Sequence, residues 1–173
     1  MNNRLPRHGK LKIGVFGPYH AGKSSFIRSI DPHARHTEAN TAGGECTTVA
    51  IDFGRTAIGD WQVYLFGTPG QERFEFVRSM ITRNLDGALL LIDPMAGLKS
   101  MHYDIHRRLK EEGIPVAFLI NKCDASPNNR ILRDQLKEEV VHEISALDPV
   151  SSRRALESFV HGIPVPKDPF RKE

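Results

Sequence analysis

Only two cysteines occur in the chain, Cys46 and Cys123; they have no partner spacing and neither lies in a C-terminal prenylation box. A disulfide scaffold and a prenyl anchor are therefore not expected, and a reducing compartment fits. Long apolar runs are missing too. The longest, Ala88 to Ile92 and Val116 to Ile120, fall far short of the roughly 20 residues a membrane-spanning helix needs. The basic opening, MNNRLPRHGKLK, lacks the apolar core of a signal peptide, and Asn2 stands where myristoylation requires glycine. Internal repeats, low-complexity blocks and interior linkers are also absent. What is present is a 173-residue chain, 39% hydrophobic and 26% charged, the composition of one soluble globular domain. A cytoplasmic location is expected. The net charge of +3 collects toward the two termini, which read as solvated ends, and no nucleic-acid partner is expected.

Strand and helix patterns alternate along the chain. LKIGVFG (11–17) is β-branched and short, and KSSFIRSI places Phe26, Ile27 and Ile30 at helical spacing. Residues 31–46 show no periodicity and read as a long functional loop. TVAIDFGRTAI and WQVYLFG flank Gly59-Asp60 and predict an antiparallel hairpin. A helix is expected over roughly 71–83, then the apolar strand GALLLID (87–93) and a helix with Leu98, Met101, Ile105 and Leu109 on one buried stripe. PVAFLINKCD (115–124) is the next strand, followed by a helix near 129–141 and a short strand around 141–144. The last helix is announced by Asp148-Pro149 and ends at Gly162. Apolar strands separated by helices predict a mostly parallel sheet covered on both faces, with ligands at the carboxyl ends of the strands.

Two motifs fall at such ends. GPYHAGKS (17–24) matches G-x-x-x-x-G-K-[ST] between a strand and a helix, the context of a phosphate loop. Gly17 and Gly22 let the backbone curl so that its N–H groups face phosphate oxygens, with the helix N-terminus behind them. Lys23 brings a charge for the β- and γ-phosphates, and Ser24 a hydroxyl for Mg²⁺. The second motif is NKCD (121–124). A carboxylate at Asp124 accepts both adjacent donors of guanine's Watson–Crick edge and repels the acceptor at N1 of adenine, which argues against an ATP-using phosphotransferase. Asn121 is left to meet the base from its other edge, and Lys122 to lie along its face.

Together these residues resemble the small GTPases of the Ras, Rab and Arf type, across residues 10–162. In the form of TTVA and FGTPGQ the chain is most similar to archaeal and bacterial members. The resemblance implies a P-loop fold with a six-stranded, mostly parallel sheet carrying one antiparallel hairpin strand and helices on both faces. It implies GTP or GDP as ligand with Mg²⁺ as cofactor. It also assigns His20, Ala21 and Ser25 to the phosphate loop, and Ser145, Ala146 and Leu147 to the loop backing the base. Thr48 resembles the first switch threonine that binds Mg²⁺ beside Ser24, because T-x-x-x-D-F runs from it rather than from Thr47. Gly70 resembles the glycine that senses the γ-phosphate and Gln71 the glutamine that orients the attacking water; with Lys23 they are the expected catalytic residues. Effectors and regulators are expected at residues 37–50 and 68–78. The domain division implied is a flexible basic segment 1–9, a GTP-binding domain 10–162 and a flexible proline-rich tail 163–173, so that any membrane attachment comes through a partner.

Two positions depart from the family pattern. Gly67 stands where the family has an aspartate that holds Mg²⁺ through water. Either Asp52 or Asp93 substitutes, or the metal is held more loosely by Ser24, Thr48 and the phosphates. Tyr19 stands where Ras has glycine, and its bulk predicts a poor response to arginine-finger activators. Other features read as ordinary structure. His102 and His106, four apart on a helix, lack a third metal ligand and read as a polar face; Cys123 reads as a small filler near the base; Phe74 and Phe76 read equally as packing or as a docking surface. The expected function is a switch that hydrolyses GTP slowly. Its alternative is a guanine-nucleotide-binding regulatory or scaffold subunit with weak catalysis.

Overall fold

The computed structural model describes residues 9–40, 48–68, 84–126 and 129–164, with side chains apart from those of 37–40 and 48–50. The expected helix at 71–83, Cys46, Gly70, Gln71, Phe74 and Phe76 lie outside the described residues, as do nearly all of the two expected terminal segments.

The elements run β1 (Gly9–Phe16), α1 (Lys23–Ile30), β2 (Arg35–Asn40), β3 (Thr48–Ile58), β4 (Trp61–Gly67), β5 (Gly87–Ile92), α2 (Ser100–Glu111), β6 (Val116–Ile120), α3 (Arg130–Gln135), β7 (Val140–Glu143) and α4 (Pro149–Gly162). The strands form one sheet in the order β2-β3-β4-β1-β5-β6-β7. From β4 to β7 every pairing is parallel. The two pairings that involve β3 are antiparallel, with β3 and β4 in the register Ile58↔Trp61 through Asp52↔Gly67.

The fold is the expected α/β sheet with one more strand. β2 lies within the segment 31–46 that reads as a loop. Its sequence, RHTEAN, has no apolar alternation because it is an edge strand, held by backbone pairing to β3 from Arg35↔Phe53 to Asn40↔Thr48. Propensity and periodicity cannot register such a strand.

The central strands are buried on both faces, which explains their unbroken apolar sequence. On one side Leu89 and Leu91 of β5 join Ile13, Val15, Leu65 and Leu119 beneath Phe26 and Ile27 of α1 and Leu156 and Phe159 of α4. On the other, Ala88, Leu90 and Ile92 join Phe16, Phe118 and Ile120 against Leu109 of α2 and Leu132 of α3. Asp148 caps α4 by accepting from the Val150 N–H at 3.0 Å, with Pro149 opening the helix as expected. α3 is shorter than the expected 129–141. It stops at Gln135, and Val140 and Val141 extend to pair with Ala117 and Phe118.

α2 corrects a second expectation. Leu98 precedes the helix but packs with Ile105 and Leu109 against the core, as expected, while the buried face also carries His102. His102 accepts the Lys99 N–H at Nδ1 and donates from Nε2 to the Leu91 carbonyl, both at 2.9 Å. Two committed ring nitrogens define a neutral imidazole and leave nothing for a metal or for solvent. Burial is the main cause that pushes its pKa below the ordinary 6.5. His106 points elsewhere, with Nε2 3.2 Å from Glu139.

Candidate functional site

The loop from Gly17 to Gly22 leaves the carboxyl end of β1 and delivers Lys23 to the first turn of α1. Gly22 is the residue on which this turn depends. Its φ is +96°, and a Cβ there would lie 2.2 Å from Asn121 Nδ2, so neither the backbone nor the space admits a side chain. Lys23 Nζ donates to the carbonyls of Gly17 and Pro18, both at 2.8 Å, which holds its charge against the loop. Tyr19 is 67% exposed at the outer edge of the loop, with its ring against that of His20 at 3.9 Å between centroids.

Asn121, at the end of β6, joins three loops. Its Nδ2 donates to the Ala21 carbonyl at 2.9 Å, and its Oδ1 accepts from the Ala146 N–H at 2.8 Å. The side chain is thus chiefly a clamp, with one amide hydrogen remaining for a ligand. Lys122 has a left-handed φ of 58° and forms an ion pair with Asp93 at 2.5 Å. Partial burial raises the Asp93 pKa, but the Lys122 hydrogen bond, the Met95 N–H and the lysine charge outweigh it and hold the carboxyl below its usual range. Asp124 is exposed at the rim of the same space. Cys123 packs as a filler beside the second core cluster. Burial raises its pKa and keeps it a thiol, donating to the Ile120 carbonyl at 3.1 Å.

These loops enclose a cavity of about 390 Å³, within the range of small-ligand sites. Its phosphate end is lined by His20, Gly22, Lys23, Ser24 and Ser25. Its other end is lined by Asn121, Lys122, Asp124 and Ala125, and by Ser145, Ala146 and Leu147. Residues about 100 positions apart in sequence thus share one pocket. Gly17 and Ala21 stand behind the lining, where their carbonyls hold Lys23 and Asn121. Ala125 is the lining residue that motif reading passed over; it follows Asp124 directly.

Beside Ser24 the sheet supplies an acid from β3. Asp52 of β3 lies opposite Gly67 of β4, and its Oδ2 accepts a hydrogen bond from the Ser24 hydroxyl. Its Oδ1 is 2.8 Å from His36 Nδ1 on β2. Asp93, the other acid considered for this role, is committed to Lys122. Thr48 opens β3 four residues before Asp52, opposite Asn40; its side chain, like Gly70 and Gln71, is outside what the structure describes. Oxygen donors at Ser24 and Asp52 suit a hard cation such as Mg²⁺, which takes one or two carboxylates and completes its shell with phosphates and water. Among the described residues no three His, Cys, Asp or Glu side chains gather into a metal-binding group.

A parallel sheet with a phosphate loop at its switch point and a carboxylate at the far end of the pocket defines a P-loop nucleotide-binding protein. Residues 12–122 match the family model described as "50S ribosome-binding GTPase", and the chain belongs to that GTPase family. It is a P-loop GTPase, and guanine-nucleotide binding and GTP hydrolysis are the general activity of that family. The chain is 31% identical over 115 residues to the uncharacterized protein MJ1339 of Methanocaldococcus jannaschii, covering 66% of this chain and 71% of that one. It is 36% identical over 84 residues to elongation factor G 1 of Borrelia garinii subsp. bavariensis, covering 47% of this chain but only 12% of the factor. In fold it is similar to the G domain of the FeoB iron transporter of T. maritima, with a TM-score of 0.67, 17% identity, and coverage of 88% of this chain and 98% of that domain. Among the described residues no helix is long and apolar enough to cross a membrane.

Proposed function

We propose that this chain is a Mg²⁺-dependent molecular switch that binds GTP, hydrolyses it slowly to GDP and phosphate, and signals through the segments 37–50 and 68–78. The observation that carries the reading is the single cavity lined at one end by Lys23 and Ser24 and at the other by Asp124. Its volume and lining residues suit a nucleotide whose phosphates meet the loop amides and whose guanine edge meets the Asp124 carboxylate.

In this reading the loop amides and Lys23 stabilise charge that develops on the transferring phosphoryl group, and Gln71 orients the attacking water in line with the leaving oxygen. Ser24, Thr48 and Asp52 would hold Mg²⁺, which when bound neutralises charge on the β- and γ-phosphate oxygens. Asn121 keeps the phosphate and base loops in a fixed relation, so that binding at one end positions the other. The segments that touch the γ-phosphate are ordered when it is present and released when it leaves, which is where effectors and regulators would read the state. The location is cytoplasmic, and attachment to a membrane comes through a partner.

The test is phosphate release from GTP by the purified full chain, with Mg²⁺ and with chelator, beside Gln71→Ala. Mg²⁺-dependent turnover that falls in the variant is expected. Tight guanine-nucleotide binding without turnover in any metal condition would instead make the chain a regulatory or scaffold subunit, a reading that Tyr19 at the loop edge favours.

A further inference from the structure

We propose that Asp52 is the carboxylate of the Mg²⁺ site, carried on β3 in place of an acid at position 67 on β4. The inference rests on the GTPase reading and adds to it the residue that replaces the missing acid.

Gly67 is not required by the backbone, since its φ is not among the positive values of the chain. It is favoured by close approach. A Cβ at Gly67 would lie 3.1 Å from Asp52 Cβ and 2.9 Å from Ile27 Cδ1, so the Asp52 side chain occupies the space beside β4 that an acid at 67 would enter. The pairing Asp52↔Gly67 sets the two positions side by side at the carboxyl end of β4. An acid can therefore move from one strand to the other and still face the phosphate loop.

Asp52 also has the surroundings of a ligand. Its Oδ2 already engages the Ser24 hydroxyl, the residue next to Lys23, which brings two oxygen donors of the preferred kind together. Its Oδ1 contacts His36 across the β2–β3 ladder, the kind of supporting partner that fixes the orientation of a ligating carboxylate. The Asp52 side chain is only 12% exposed, whereas that of His36 is 49% exposed. The acid is held inward, and its support stands outward.

The test is Mn²⁺ binding to the GDP-loaded full chain, followed by electron paramagnetic resonance, for wild type, Asp52→Asn and the double variant Asp52→Gly/Gly67→Asp. Asp52→Asn is expected to weaken Mn²⁺ by about 10- to 100-fold, with GDP affinity in chelator unchanged. The double variant, which returns the acid to β4 as it removes the obstructing side chain, is expected to recover most of the loss. Wild-type Mn²⁺ affinity in Asp52→Asn overturns the proposal. So does an equal loss of GDP affinity in chelator, which would mark a role in folding alone. If wild type fails to bind GDP with or without metal, the nucleotide reading falls and the proposal falls with it; GDP binding with undiminished Mn²⁺ affinity in Asp52→Asn sinks the proposal by itself.

Discussion

The Asn121 clamp and the Asp52–Ser24 contact are built differently. At the base end, Asn121 is 2% exposed and joins the phosphate loop and the loop after β7 through two short hydrogen bonds. Beside Ser24, the acid Asp52 stands on a neighbouring strand and is braced by a half-exposed histidine of the sheet edge. One depends on a residue fixed by its own motif. The other depends on strand register, which lets a side chain be exchanged between neighbours without moving the backbone. The Asn121 clamp should therefore be brittle to substitution, and the Asp52–Gly67 pair tolerant.

Asn121→Ala tests that difference most strongly. It leaves the Ala21 carbonyl and the Ala146 N–H buried without their partners, a loss of about 2–5 kcal/mol in unfolding free energy. Urea unfolding measures it, and guanine-nucleotide affinity should fall in parallel; a loss confined to affinity would mean that the clamp is not structural. Beside Asp52, Gly67→Ala should cost less, about 1–2 kcal/mol, because the closest obstacle is the movable tip of Ile27. A cost equal to that of Asn121→Ala would erase the contrast.

The smallest effect lies beneath both, at His102, which donates to the same Leu91 carbonyl that a Cβ on Gly17 would meet at 2.8 Å. Its folded pKa is depressed below 6.5, chiefly by burial, so the unfolded chain binds a proton that the folded imidazole refuses. The stability it contributes is complete above that value and is lost as pH falls below it. Denaturant midpoints should drop between about pH 8 and about pH 5, and His102→Gln should flatten the drop. What remains belongs in part to His142, whose pKa burial also lowers.

The sequence is most legible where the pattern and the physical cause coincide. The α1 segment KSSFIRSI matches its helix end to end, and the hairpin around Gly59-Asp60 has the expected partners. Gly22, Lys23, Ser24 and Asp124 share a pocket as their motifs implied. β2 was hidden because an edge strand needs a backbone partner and no apolar face. His102 was hidden because a polar residue type suggests an outward face, whereas two internal hydrogen bonds let it turn inward. The surroundings of the two candidate acids are visible only in the fold, where Asp52 lies opposite Gly67 beside Ser24 and Asp93 is bound to Lys122.

The Asn121 clamp also bears on how the chain folds. Its partners lie 100 residues before it and 25 after it, so neither local collapse nor an early hairpin can close it. Contacts of such long sequence separation form late, after the entropy of closing the intervening loops has been met. During synthesis the phosphate loop emerges first, and the clamp is complete only once Ala146 has followed. A nascent chain that stops short of β7 would carry the complete Gly17–Ser24 motif and still lack the closed pocket.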